Sequence, residues 1–363
     1  FYYFKIAQNV VETGRPTFDG IHLTNGVQLL WHYVLVVLAF FVRDDGAFLR
    51  AVLLLCIALN LYAGLMLRSL GRLMLSRSLG DIALFLWSGV LVERWNTLQG
   101  MEFSLHIVII LGIALVTWRI LVERRHDLLL ALSALLTLNF WTRLDSAIFS
   151  LAIWAVVLAL LARRKMATPR ALAALTFVPF LGAIAYVATS YAMAGTPLPL
   201  SGAVKSFYTH RFFGHANSLT AITEEVGWWI KIQSTLALSL VPQNISNLSA
   251  DAWIFATKRN FLILAVGALA SAWGIWRIGR VFGWKSPNGS VAIGCGFVWV
   301  VSAVHLIVTI REIGDFSHVS RHYYAWLLVF WLVWGALLIS MSLDALKQPL
   351  GRMVSSAAAA GLV

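Results

Sequence analysis

The chain has 363 residues, 60% of them hydrophobic and only 12% charged, with a net charge of +12 and a mean hydropathy of +0.80. Soluble domains carry roughly 25% charged residues, so an ordinary water-facing globule is excluded. The basic balance does not point to nucleic acid, because the Lys and Arg fall in short segments between apolar runs rather than along one face.

Read from the N-terminus, the chain opens on an amphipathic stretch at Phe1 with no leader-like apolar run before it, and further residues are expected upstream. Apolar runs follow at about 26–42, 49–67, 80–92, 100–118, 127–142, 144–162, 171–193, 261–276, 289–310 and 323–342. A spanning helix needs about 20 residues, fewer with interfacial anchors. No ten-residue alternating pattern of a membrane β-barrel is present. The expected fold is therefore all-α, a polytopic transmembrane helix bundle of about nine spanning helices, with interfacial juxtamembrane helices in its outer loops. Gln28, Trp31, His32 and Tyr33 make 26–42 an interfacial or re-entrant helix rather than a span.

Five basic segments set the topology: 68–77, 119–126, 163–170, 277–285 and 347–352. Placing all five on the cytoplasmic side requires an even number of crossings between successive ones, and the apolar runs supply it. The opposite side then receives residues 1–25, 93–101, 142–145, the long loop 194–260 and 311–322. Within that loop, 226–241 with Trp228 and Trp229 reads as a helix lying on the membrane surface. The chain divides into a first outer loop (1–48), an N-terminal transmembrane bundle (49–193), the long outer loop (194–260) and C-terminal transmembrane helices (261–363).

Ionisable residues near membrane depth are expensive to place and are functional candidates, and here they collect on the outer side. Glu102 opens a long apolar helix, where the helix dipole also favours a carboxylate. Asp145 follows Arg143 in Thr142-Arg143-Leu144-Asp145, a spacing that also suits a local ion pair. Lys205, His210, Arg211 and Arg321 offer donors for a phosphate at the membrane surface. An interfacial anchor is the competing reading of Arg321 beside Tyr323 and Tyr324. His210 and His215 lack a nearby acid, so no metal site is defined, and a divalent metal stays open. Cys56 and Cys295 lie in apolar runs and read as small core residues. No Walker A loop, Rossmann fingerprint, His-Glu-x-x-His or Gly-x-Ser-x-Gly occurs.

The first block, Tyr2-Tyr3-Phe4-Lys5-Ile6-Ala7-Gln8-Asn9, Gly14-Arg15-Pro16-Thr17-Phe18-Asp19-Gly20, Thr24-Asn25-Gly26 and Leu30-Trp31, resembles the first outer loop of the GT-C glycosyltransferases. Gly100-Met101-Glu102, Thr142 to Asp145, Ser201 to Ser206 and Arg321-His322-Tyr323-Tyr324 look like further, looser elements of such proteins. The resemblance implies a GT-C-like membrane enzyme that moves a sugar from a polyprenyl-phosphate donor to a glycan, lipid or protein acceptor. The bacterial arabinofuranosyl- and mannosyltransferases have this general look. It further implies an active site facing outward from the bacterial inner membrane, with the catalytic acid just upstream of Phe1. Asp19, Glu102 and Asp145 are weaker catalytic candidates, and Lys205, Arg321, Arg143, His210 and Arg211 are the expected donor-phosphate ligands. A lipid or sugar flippase would instead show internal repeats and broken helices, and a noncatalytic membrane subunit would need no dense outer polar rim. With the charge pattern as drawn, cysteines introduced at Thr13 and Thr220 are both labelled by an impermeant thiol reagent in spheroplasts; labelling of only one refutes the assignment.

Overall fold

The computed structural model describes residues 2–74, 77–89, 99–163 and 168–201, together with Val204 and Val301. The expected surface helix 226–241 and the expected spans 261–276, 289–310 and 323–342 lie outside the described residues. Within them the chain is helical, without strands and with one isolated bridge between Thr17 and Leu23.

Helix α1 (Tyr2–Thr13) ends where Gly14 turns to a positive φ of 74° and its N–H caps the Val10 carbonyl at 2.9 Å. The loop after it is folded onto the helix by the buried Asn9, whose side-chain amide donates to the Thr17 carbonyl at 2.8 Å. Helix α2 (Leu29–Phe41) buries Trp31, Leu35 and Ala39, a stripe at four-residue spacing, and exposes Tyr33, Val37, Phe40 and Phe41. Its 13 residues rise only about 20 Å, too little for a hydrocarbon core of about 30 Å. An apolar exposed face on so short a helix suits the membrane interface.

Helix α3 (Asp45–Met74) is longer than the 49–67 run that announces it. Asp44 caps its start by accepting from the Ala47 N–H at 2.7 Å. At its other end residues 68–74 of the expected basic loop are helix, because Arg68 and Arg72 both reach Asp81 on helix α4 (Arg77–Gly89), at 2.6 and 2.9 Å. The α3–α4 hairpin closes at two glycines. A Cβ at Gly64 would meet the Trp87 ring at 2.8 Å, and one at Gly80 would collide with the Arg68 backbone carbonyl. The Trp87 indole also donates to the Asn60 carbonyl at 3.1 Å.

Helices α5 (Phe103–Leu121), α6 (Leu129–Thr142), α7 (Ala147–Arg163) and α8 (Pro169–Ala194) complete the described bundle. Helix α6 is its centre and touches α2, α5, α7 and α8. Because apolar surface gives no driving force between helices in lipid, small and polar residues make the contacts. The Asn139 amide donates to Ser150 Oγ at 2.9 Å, and Ser146 Oγ donates to the Asn139 carbonyl at 2.9 Å, joining α6 to α7. Gly182 lets α8 lie against Thr137, and the Trp141 indole donates to the Gly182 carbonyl at 2.9 Å.

Among the described residues four segments are long and apolar enough to cross a membrane: Asp45–Leu73, Phe103–Leu121, Leu144–Ala162 and Pro169–Ala194. The expected span 127–142 is a helix of 14 residues entered through a 3₁₀ turn at His126–Leu128, and the described part of 80–92 lies in α4. Cross-helix pairs fix the directions. Asp81 against Arg68 and Trp87 against Asn60 make α3 and α4 antiparallel, and Met101 against Cys56 with Gly112 beside Met66 makes α5 parallel to α3. Arg68, Arg72, Arg119, Arg124, Arg125 and Arg170 therefore gather at one end of the bundle. Residues 2–28, Glu102, Arg143, Asp145 and the C-terminus of α8 gather at the other. Replacing Gly80 by Ala should open the α3–α4 hairpin and cost about 1–3 kcal/mol, the usual range for overpacking. Gly46→Ala, whose Cβ meets nothing nearer than 3.5 Å, serves as the control, and thermal unfolding in nanodiscs reads the difference.

Candidate functional site

The end of the bundle opposite the arginine belt is built around a turn and a break. The turn is Gly100, with φ of 66°, where a Cβ would strike the Phe4 ring at 2.6 Å. Its carbonyl accepts from the Trp31 indole at 3.2 Å, so α1 and α2 hold the segment that presents Glu102 at the start of α5. The break is Arg143, whose extended backbone (φ −151°, ψ 117°) separates α6 from α7. Its carbonyl accepts from the Ser146 N–H and hydroxyl at 3.0 and 2.7 Å, which draws Leu144 to Ser146 into one tight turn. That turn returns Asp145 to the side chain of Arg143.

The three charges meet there. Arg143 donates Nη1 to Glu102 Oε1 at 2.7 Å, and Nε and Nη2 to Asp145 Oδ1 and Oδ2, each at 3.1 Å. The second contact is the bidentate fork that a guanidinium makes best. The side chains of Arg143 and Glu102 are each 2% exposed and that of Asp145 16%, so the cluster approaches the surface on the Asp145 side. One cation thus serves two carboxylates in a nearly dry site, and the fully ionised cluster carries one surplus negative charge. Burial pushes the Glu102 carboxyl upward from its ordinary value; the Arg143 guanidinium pulls it back and the Asp145 charge adds to the rise. Of the two carboxylates, Glu102 is thus the one whose charged form burial disfavours.

A second polar knot ties the first loop to the end of α8. The Asn25 amide donates to Ser190 Oγ at 2.7 Å and to Thr196 Oγ1 at 3.0 Å, and Asn25 Oδ1 accepts from the Leu200 N–H at 2.9 Å. Around it Ile6, Val27, Leu29, Phe140 and Tyr186 form one apolar cluster with Leu144 and Ala147 packed against it. The N-terminal loop, the start of α5, the α6–α7 turn and the end of α8 therefore converge.

The expected site residues divide three ways. Glu102, Arg143 and Asp145 come together. Arg143, expected as a donor-phosphate ligand, is buried and engaged by carboxylates instead, because Asp145 folds back onto it. Asp19 sits on the exposed loop and binds His22, whose ring and backbone N–H, with the Ile21 N–H, hold its carboxyl well below the usual carboxylate range. Lys205, His210, Arg211 and Arg321 lie outside the described residues. Among the described residues no three His, Cys, Asp or Glu side chains gather to hold a metal. Tyr186 went unnoticed in the sequence, where it is one of two tyrosines, with Tyr191, in the last third of an apolar helix.

No family model matches the chain, and neither does any curated protein or solved structure.

The charge assignment has a measurable asymmetry. Glu102→Gln keeps an oxygen for Arg143 and should unfold near the wild-type temperature, whereas Arg143→Ala leaves two carboxylates without their cation and should lose about 3–5 kcal/mol. A carboxyl whose folded value is raised binds its proton more tightly in the folded state. Its stabilising contribution is full below the unfolded value and is lost as pH rises through the folded one. Wild-type stability should therefore fall on the alkaline side of the Glu102 titration. Glu102→Gln should flatten that slope, with Arg143, Asp145 and His106 unchanged as neighbours. Equal losses for Glu102→Gln and Arg143→Ala refute the assignment.

Proposed function

We propose that the protein is an integral membrane glycosyltransferase of GT-C type, moving a sugar from a polyprenyl-phosphate donor to an acceptor hydroxyl. The reading includes about nine spans, a bacterial inner-membrane location and a site on the outward face. The observation that carries it is the buried Glu102–Arg143–Asp145 cluster, which adjoins the first loop at the bundle end opposite the arginine belt. Positive residues favour the cytoplasmic side, which makes the cluster's end the outward one. Ionisable groups at such depth are a default functional signal.

In the proposed reaction the acceptor oxygen attacks the anomeric carbon and forms the new glycosidic bond. The bond from that carbon to the phosphate oxygen breaks, and its electron pair leaves with polyprenyl phosphate. The acceptor's hydroxyl proton passes to a carboxylate base. The acid expected upstream of Phe1 is the first candidate for that base. Asp145, the more exposed and ionised carboxylate of the cluster, and then Asp19 and Glu102 follow. Lys205 and Arg321, with His210 and Arg211, are assigned to the leaving phosphate. Arg143 is already committed to two carboxylates, so its role is to orient them.

The test is transfer of radiolabelled sugar from synthetic polyprenyl-phosphate sugars in membranes containing the protein. Lys205→Ala and Arg321→Ala should each cost about 10- to 100-fold, the worth of one charge-assisted hydrogen bond of roughly 1.5–3 kcal/mol. Arg68→Ala, in the arginine belt, should leave transfer intact. Absence of transfer from every sugar lipid, or alanine variants as active as wild type, removes the reading.

A further inference from the structure

At the arginine end of the bundle most of the acids are already engaged. Asp81 is shared by Arg68 and Arg72, and Asp127 accepts from Arg125 Nε and Nη2 at 2.9 and 2.7 Å. The Glu123 charge also acts on Arg125. Arg119, in the last turn of α5, and Arg124, just beyond it, are exposed and make no ion pair among the described residues. The backbone brings these two together. The Arg119 carbonyl accepts from the Glu123 and Arg125 N–H groups, each at 3.1 Å, so the chain curls back over the end of α5 with Arg124 at the corner. Arg124 has a φ of 58° and is the only non-glycine residue with positive φ among the described residues. Helices commonly end in that left-handed conformation, but on a glycine, because a side chain there is strained. The strain keeps a guanidinium at a corner where glycine would suit the backbone better, and strain of this kind clusters at functional positions. Apolar surface borders the corner: Val122 and Leu130, one on each side of it, are exposed, and Trp118 is half-buried beside Arg119.

We infer that Arg119 and Arg124 form a binding surface for the phosphate of an anionic phospholipid in the leaflet at the arginine end, with the acyl chains beside Val122 and Leu130. The surface lies at the opposite end of the bundle from Glu102, Arg143 and Asp145 and is independent of the glycosyl-transfer reading. Charge and apolar surface together select the ligand. Guanidinium forks match phosphate oxygens, and basic residues next to a spanning helix attract anionic lipid. A zwitterionic phospholipid carries an ammonium that cancels its phosphate, whereas phosphatidylglycerol keeps the full negative charge. A soluble acidic partner would have no use for the apolar flank. No cavity is required, because both arginines already reach the surface and Val122 and Leu130 already face outward.

The full chain in maltoside detergent is titrated with phosphatidylglycerol, and native mass spectrometry counts the lipids retained. Phosphatidylcholine with the same acyl chains is the control. One arginine near a membrane surface is worth about fivefold in affinity, so wild type should prefer phosphatidylglycerol by about tenfold or more. Arg119→Ala and Arg124→Gly should each lose about fivefold. Arg124→Gly is the sharper variant, because glycine relieves the left-handed backbone. It should melt near or above the wild-type temperature while it binds less lipid, which separates binding from folding. Added salt should weaken retention of phosphatidylglycerol and leave phosphatidylcholine unaffected. Arg43→Ala, which removes an exposed arginine stacked near Phe40 at the other end, should bind as wild type does. Equal affinity for the two lipids, or undiminished phosphatidylglycerol binding by the folded Arg119→Ala and Arg124→Gly variants, overturns the surface. An equal loss in Arg43→Ala means unspecific charge attraction and overturns it as well. So does displacement of the lipid by inorganic phosphate, which would mark a site for soluble anions.

Discussion

Arg143 brings a positive charge into the buried interior of one bundle end, and the local architecture follows from what that charge requires. A guanidinium out of water must be surrounded by acceptors, or it costs several kcal/mol. Asp145 supplies two of them through a turn of only two residues, which is possible because Arg143 breaks the helix and Ser146 holds the break with two hydrogen bonds to its carbonyl. Glu102 supplies the third from another helix, and its placement depends in turn on Gly100, Phe4, Trp31 and Cys56. Four elements far apart in the chain are thus tied to one side chain.

Away from that end, the bundle is assembled from the vocabulary available in lipid. Helices approach where glycine removes a side chain, at Gly64, Gly80 and Gly182, and hydrogen bonds from Trp, Asn and Ser cross the gaps. Large apolar residues such as Phe48, Leu67 and Ile107 are buried between helices, while others such as Leu54, Leu61, Phe177 and Phe180 point outward. That outward apolar surface agrees with a lipid surround.

The bundle also separates its charges by end. One end carries arginines in excess, with Arg68 and Arg72 sharing a single exposed Asp81. Inside the other, two carboxylates surround a single buried arginine. An excess of positive charge in water-exposed segments is a topological signal, whereas an excess of negative charge held out of water is a chemical one. The upward shift of the Glu102 carboxyl and the orientation of Asp145 both derive from that second imbalance.

Much of this was legible beforehand. The low charge content and the apolar runs announced a helical membrane protein, and every run within the described residues became a helix. Asp44, Thr168 and Gly14 mark helix ends by ordinary capping chemistry. Glu102 and Asp145 stood out because carboxylates are rare inside apolar segments. Other features could not be read locally. Helix α3 runs on through the basic segment because Asp81, from the next helix, neutralises Arg68 and Arg72; no local breaker or former announces that. Arg143 looked free to bind a phosphate, since nothing in the linear chain reveals that Glu102, 41 residues earlier, meets it at 2.7 Å. Asn25 and Tyr186 gained their significance only when the first loop packed on the last described helix. Composition and periodicity determine which residues leave water and in what secondary structure, because those depend on each residue and its near neighbours. Which buried charges pair, and which polar atoms stay unpaired, depends on contacts between distant helices, and only the tertiary structure decides them.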